Sequence, residues 1–426
     1  MTNKKTKKSV AKKLATKKTK TVVKKPEVSK NVKNDFPWWK KNPGYIYLDS
    51  SASALKPKSV IDAIVDYYER LSTNPHNNDS DFTNIAYNKM EEARSKIAKL
   101  YNAKREEIIF TSGSTESTNL VANALKPFIK RGDQILLTYG EHGSNILPWM
   151  RIAKEKKAKL VFAGKAGSNT VTEQDILDKV TKKTKVVGFV AISNYLGFEL
   201  DIKKIVEGVR ERNNKTFVMT DATQMLPHKP IDVRETGIDF FVCSGYKMCA
   251  ATGTGLVYMK EQYLDLEPFR FGGAMNVGFT ETEITFAPKY EKFEGGTPHT
   301  AGIISWGAAV DYLNKFGWDR INKNDFELKA YINQEFAKIS DIIDWINPES
   351  KYPIVLFTLK GLSAKETAAY LGKKKIITRA GLGCARLSPH LTGHGPMVRA
   401  SFYLYNDKTD VDKLVKALKE YKPVGA

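Results

Sequence analysis

Short apolar runs and amphipathic stretches alternate through the middle of the chain. Residues 108–111, 134–138, 159–163, 185–192, 216–220 and 239–243 read as strands. They are apolar almost throughout instead of alternating, which is the pattern of strands covered on both faces. Helical stretches separate them, one from about Thr115 and another near 145–157. Strand and helix in alternation predict an α/β domain on a mostly parallel sheet. A long helix over about 301–316 leads out of it. Beyond, helices at 327–339 and 410–421 flank strand-like runs at 352–359 and 398–404, and predict a smaller α+β domain. No internal repeat is present. The expected division is a tail over 1–35, a large domain over 36–317 and a C-terminal domain over 318–426. Order is expected to begin near Phe36-Pro37-Trp38-Trp39.

Composition narrows the possibilities. With 426 residues and 42% apolar content the chain can bury a substantial core. No apolar run approaches the roughly 18 residues that cross a bilayer, and the N-terminus lacks the apolar segment of a signal peptide. The three cysteines, Cys243, Cys249 and Cys384, form no metal-ligand spacing and no disulfide framework. The expectation is a protein of the reducing cytoplasm without a membrane span. The net charge is +21, and the first 33 residues supply +12 of it through thirteen lysines against Glu27. That segment has no aromatic residue and is expected to be a solvated tail. The alternative is an electrostatic tether that makes weak contact with RNA or anionic lipid. Elsewhere the excess of lysine over arginine reads as general composition.

Chemistry concentrates at the strand ends. One strand ends in Ser244-Gly245-Tyr246-Lys247 and another in Asp221-Ala222-Thr223-Gln224. A lysine and an aspartate so placed meet the needs of pyridoxal phosphate: an amine to bind the aldehyde and an acid to keep the ring nitrogen protonated. Taken alone, each is more commonly a solvated strand end. Thr111-Ser112-Gly113-Ser114-Thr115 joins a strand to a helix. Its hydroxyls and free N–H groups suit a phosphate, although Ser and Thr also serve there as simple caps. Glu141-His142 and Ser193-Asn194 follow two further strands.

These segments resemble the cysteine desulfurases of the class V pyridoxal-phosphate enzymes, Suf-type branch, which are related to selenocysteine lyases. The resemblance runs from about Tyr45 to Tyr421. It includes Tyr47-Leu48-Asp49-Ser50-Ser51-Ala52, Phe293-Glu294-Gly295-Gly296-Thr297-Pro298, Arg379-Ala380-Gly381-Leu382-Gly383-Cys384 and the segment beginning Arg399-Ala400-Ser401. It implies the fold type I architecture of pyridoxal-phosphate transferases. Lys247 matches the lysine that holds the cofactor, Asp221 the partner of the ring nitrogen, Gln224 the neighbour of the ring hydroxyl, and His142 the stacking histidine. Ser114, Thr115, Ser244 and Tyr246 fall at phosphate contacts, with Tyr246 standing where the family usually has histidine. Thr297 matches a threonine that reaches the phosphate of a partner subunit, which implies a homodimer. Asn194, Arg379 and Arg399 match substrate contacts, Arg399 on the carboxylate, where a planar guanidinium is apt. Cys384 matches the catalytic cysteine. A basic neighbourhood that includes Arg379 and Arg386 would favour its thiolate, and Gly381 and Gly383 predict an exposed loop around it. Cys243 and Cys249 are expected to be buried.

The activity implied is conversion of L-cysteine to L-alanine with a persulfide on Cys384, for delivery to a sulfur-acceptor protein in Fe–S cluster assembly or tRNA thiolation. A selenocysteine lyase would use the same residues. A nucleic-acid-binding protein with an inactive core would rest on the tail alone, and the intact set of Lys247, Asp221, Cys384 and Arg399 speaks against it. Leu382-Gly383 in place of two usual histidines, and His76-Asn77-Asn78-Asp79-Ser80 at the expected site entrance, depart from the family pattern.

Overall fold

The computed structural model describes residues 29, 31–77 and 79–422. Most of the lysine-rich tail (1–28 and 30), and Asn78 of the entrance segment, lie outside the described residues. The chain begins its sheets with a two-residue strand, β1 (Ile46–Tyr47). Seven strands follow: β2 (Ile108–Thr111), β3 (Gln134–Thr138), β4 (Lys159–Ala163), β5 (Thr184–Val190), β6 (Phe217–Asp221), β7 (Phe240–Ser244) and β8 (Gly255–Met259). They form one sheet in the order β2-β8-β7-β6-β5-β3-β4. The neighbours β7-β6-β5-β3-β4 are parallel, and β8 runs antiparallel to both β2 and β7. Strands β7 and β8 are buried at every position, because apolar clusters cover both faces of the sheet. This is the predicted mostly parallel sheet.

Strand β8 is not among the predicted strands. Its run Gly-Leu-Val-Tyr-Met is short, follows a turn rich in Gly and Thr, and shows no alternation. It returns antiparallel and lets β2 join the sheet edge.

A hairpin, β9 (Asn276–Phe279) and β10 (Ile284–Phe286), stands out from the body, with Val277 71%, Phe279 75% and Ile284 50% exposed. The C-terminal part is built on β11 (Ile343–Trp345), β12 (Ile354–Leu359), β13 (Ile376–Ile377), β14 (Arg379–Gly381) and β15 (Met397–Ser401). Its antiparallel sheet has the order β11-β12-β15-β14, and β13 pairs with β1. Asp49, just after β1, also bridges to Ser401. The start of the chain is thereby tied to the C-terminal sheet.

The helix expected at 327–339 runs over Trp318–Ala337. Its first half is mostly polar: only Ile321 and Asp325 point inward there, and Leu328 continues their stripe at helical spacing. The described structure includes a short helix, Val32–Asp35, ahead of Phe36. Lys33 pairs with Asp410 at 2.8 Å, and Asp35 accepts a hydrogen bond from the Tyr312 hydroxyl at 2.8 Å. Phe36 packs edge-on against Trp39, Tyr312 and Tyr405. This clamp joins the helix Thr300–Phe316 to the helix Lys408–Lys419.

Candidate active site

The parallel strands and β2 all point their C-terminal ends to one edge of the large sheet, where open α/β sheets bind ligands. Helix Ser114–Leu125 starts there, behind Gly113, which has no side chain to cap it. The backbone N–H of Ser114 donates to Ser244 Oγ at 2.9 Å, and the Ser244 hydroxyl donates to Ser114 Oγ at 3.1 Å. Thr115 Oγ1 lies 2.7 Å from Ser144 Oγ. Hydroxyls and a helix N-terminus therefore converge into an anion cradle. Behind it the backbone is close-packed: a methyl group on Gly255 would come within 2.4 Å of Gly113 Cα.

At the other end of the same hollow, Asp221 is buried at the tip of β6 and accepts the N–H of Thr223 at 3.0 Å. His142 Nδ1 accepts the N–H of Ser144 at 3.1 Å, which leaves any ring proton on Nε2. Burial holds the His142 pKa down, so the ring is neutral and free to lie against a flat ligand. Beside it, Glu141 is buried and accepts from Thr138, Asn145 and the N–H of Val190, while burial pushes its carboxyl up to about 8.

Lys247 is 8% exposed. Burial first, then Arg399, lowers its pKa to about 8 against the opposing pull of Asp221 and Asp49. The turn that carries it is held by Lys56 Nζ, which donates to the Tyr246 carbonyl at 3.2 Å and to the Ala54 carbonyl at 2.6 Å.

The substrate end comes from the C-terminal sheet. Arg399 on β15 faces Arg379 on β14 in register. The Arg399 guanidinium is buried. Nη1 donates to the Asn194 carbonyl at 2.8 Å and Nη2 to Asp49 Oδ1 at 2.9 Å, and Nε has no partner. Cys384 is exposed, and its φ of +65° puts it in the left-handed region. Its own carbonyl accepts from the N–H of Gly143 at 3.0 Å, and the preceding Gly383 carbonyl accepts from Asn194 Nδ2 at 2.8 Å. The cysteine loop is thus fastened to the two strand-end loops that carry His142 and Asn194. A short helix after it, Pro389–Thr392, is held by His390, which stacks on Tyr139 at 3.8 Å.

Lys247, Asp221, Gln224, His142 and Asn194 line one cavity of about 230 Å³, together with Ser114, Thr115, Ser244 and Tyr246. Arg399 and Cys384 adjoin it through Asn194 and Gly143. Arg379 is exposed at its outer side. Thr297 does not reach it and lines a neighbouring cavity of about 160 Å³, which shares Ser112 and Glu116. Cys243 and Cys249 are fully buried. Sequence reasoning passed over Asp49 and Thr223. Asp49 stands inside the quoted Tyr47-Leu48-Asp49 motif, and its partner Arg399 lies 350 residues away, so no local signal connects them.

The cavity fits pyridoxal phosphate on its own terms. It has a helix start ringed by hydroxyls for a phosphate, a buried carboxylate for a ring nitrogen and an amine of low pKa for an aldehyde. Asn194 Oδ1, Thr223 Oγ1, Gln224 Oε1 and Arg399 Nε are buried there without partners, at a cost of about 1–3 kcal/mol each, which a polar occupant would relieve.

Comparison with known proteins agrees. The family model for aminotransferase class V matches residues 46–414. A probable cysteine desulfurase of Ureaplasma parvum is 42% identical over 92% of this chain and 97% of its own. One from Halalkalibacterium halodurans is 37% identical over 88% and 93%. Among solved structures, the apo cysteine desulfurase of Thermococcus onnurineus superposes with a TM-score of 0.87 at 30% identity, covering 93% of this chain and 98% of that one. An Escherichia coli cysteine desulfurase in its S-sulfonic acid form gives 0.84 at 29% identity, covering 91% and 96%.

Proposed function

The chain belongs to the class V aminotransferase family, and from that premise we propose that it is a pyridoxal-phosphate-dependent cysteine desulfurase of the Suf-type branch. The reaction is L-cysteine plus the Cys384 thiol giving L-alanine plus a Cys384 persulfide. The observation that carries it is the placement of Cys384: exposed, on a loop tied by hydrogen bonds to the His142 and Asn194 loops, and next to a buried guanidinium with an unused donor.

Lys247 would hold the cofactor aldehyde, Asp221 its ring nitrogen, and His142 one ring face. Gln224 would meet the ring hydroxyl, and Ser114, Thr115, Ser244 and Tyr246 the phosphate. When bound, the cofactor supplies an electron-accepting ring that stabilises charge at the Cα of an amino acid. Arg399 and Asn194 fix the substrate carboxylate, with Arg379 at the outer side. Lys247, with an amine pKa brought to about 8, can exchange a proton at Cα near neutral pH. The Cys384 thiolate attacks the substrate sulfur, keeps that atom and releases the three-carbon product.

The Thr297 segment, too far out to serve its own cavity, supports a homodimer in which it reaches the partner's phosphate site. The exposed persulfide supports hand-off to a sulfur-acceptor protein for Fe–S clusters or tRNA thiolation. Three free cysteines support a cytoplasmic setting. Among the described residues no helix is long and apolar enough to cross a membrane.

The deciding experiment is Cys384→Ser. The variant should bind the cofactor and change its visible spectrum with L-cysteine, yet release no alanine. The wild type treated with L-cysteine should gain one sulfur on the Cys384 peptide. Alanine release by the variant, or sulfur on Cys243 or Cys249, rules the reading out. Relative turnover of L-cysteine and L-selenocysteine separates it from a selenocysteine lyase.

A further inference from the structure

The edge of the large sheet opposite the catalytic cavity is formed by the loops that enter β3, β4, β5 and β6. Strand order makes them neighbours, and hydrogen bonds stitch them together. Gly132 N–H donates to the Lys157 carbonyl at 3.0 Å, Lys159 N–H to the Asp133 carbonyl at 2.7 Å, and Gln134 N–H to the Lys183 carbonyl at 2.8 Å. Asn213 Nδ2 donates to the Thr181 carbonyl at 3.1 Å. At about 4.8 Å between strands, the four entries span about 15 Å.

These loops, residues 130–134, 154–159, 178–185 and 210–215, carry thirteen basic residues against four acidic ones, a net +9. The chain beyond the first 33 residues is also net +9. The rim therefore accounts for the whole excess, and the remainder of the body balances. A compositional preference for lysine would spread its charge; this charge is sorted.

Elsewhere surface lysines find carboxylates, as in Lys96 with Asp311 and Lys374 with Glu420. On the rim Lys130, Arg131, Lys159 and Lys183 are exposed and make no ion pair among the described residues. Beside them Phe128 is 45% exposed and rests edge-on against Phe217, the first residue of β6.

We propose that this rim is a binding surface for RNA, with the lysines and Arg131 on phosphates and Phe128 stacked on an unpaired base. Unpaired cations spaced along an edge neutralise a phosphate chain, and one exposed ring among them is the usual platform for a base. An anionic membrane fits less well, because Phe128 is the sole large apolar side chain exposed at this rim among the described residues, and stable attachment needs more buried apolar area. The surface lies about 20 Å from the catalytic cavity, one strand length away, so it leaves cysteine chemistry untouched.

The test uses the full chain loaded with cofactor and a fluorescein-labelled oligouridylate, read by anisotropy across a salt series. The triple variant Lys130→Glu, Lys159→Glu, Lys183→Glu should bind at least about tenfold more weakly, with the slope of log K against log salt shallower by about 2. Phe128→Ala should weaken binding about fivefold or more at unchanged slope. Crosslinks from 4-thiouridine should fall on the Phe128 peptide. None of the three lysine side chains makes a hydrogen bond among the described residues, so melting temperature and cysteine turnover should match the wild type. Unchanged affinity and slope in the triple variant would assign all binding to the tail and overturn the proposal. Loss of binding to phosphatidylserine vesicles with oligouridylate affinity intact would overturn it in favour of a membrane surface.

Discussion

Lys247 is enclosed by the sheet and faced by a second cation, Arg399, and both favour the neutral amine. Its pKa of about 8 compares with an ordinary 10.5. Only the neutral amine adds to an aldehyde. Below about 8 the reactive fraction falls about tenfold per pH unit, so cofactor uptake by the stripped protein should quicken with rising pH and level off above about 8. Stopped-flow absorbance of pyridoxal phosphate binding measures this; an inflection near 10.5, or none, would show that the pocket does not act on the amine. Tyr246 follows related physics. Burial and Asp221 push its hydroxyl pKa up, so it stays a proton donor suited to a phosphate. The lysine, the aspartate and the cysteine were legible in the sequence because each sits in a compact motif. Asp49, Glu141 and Lys56 were not, because what they do depends on partners such as Arg399, Val190 and the Tyr246 carbonyl, which no spacing along the chain reveals.

Strands β3 and β4 stand where their apolar runs place them, and β5, β6 and β7 differ by a residue or two, because buried parallel strands leave continuous apolar stretches. Strand β8 was missed for want of length and alternation, and it matters most for the cradle. Its first residue, Gly255, presses on Gly113 so closely that a methyl group at 255 displaces the loop before helix Ser114–Leu125. Gly255→Ala should therefore destabilise the fold by about 1–3 kcal/mol and release cofactor on dialysis that retains it in the wild type. Retained colour with only the stability loss would separate packing from phosphate binding. The helix Trp318–Ala337 teaches a different lesson: a polar first half conceals a helix whenever one narrow stripe of residues is enough to dock it.

On the scale of the whole molecule, the N-terminal clamp holds the large body against the C-terminal sheet that carries Arg399 and Cys384. Phe36 is 1% exposed amid three aromatic rings. Phe36→Ala should cost about 3–5 kcal/mol in urea unfolding, whereas a cut before Ser29 should leave both midpoint and turnover where they are; the reverse ranking would place the clamp's strength ahead of Ser29. The clamp was only partly visible in sequence, since Lys33 read as one more charge of the tail until Asp407 and Asp410 appeared beside it. The sorting of charge has a practical side. With its positive end turned away from the Cys384 mouth, the body is a dipole. On silica or a sulfonated bead a chain cut before Ser29, freed of most of the tail's lysines, should settle cations down and mouth to the liquid. Enzyme adsorbed in that way should outperform the same mass coupled at random through amines, since orientation comes from its own surface and needs no linker.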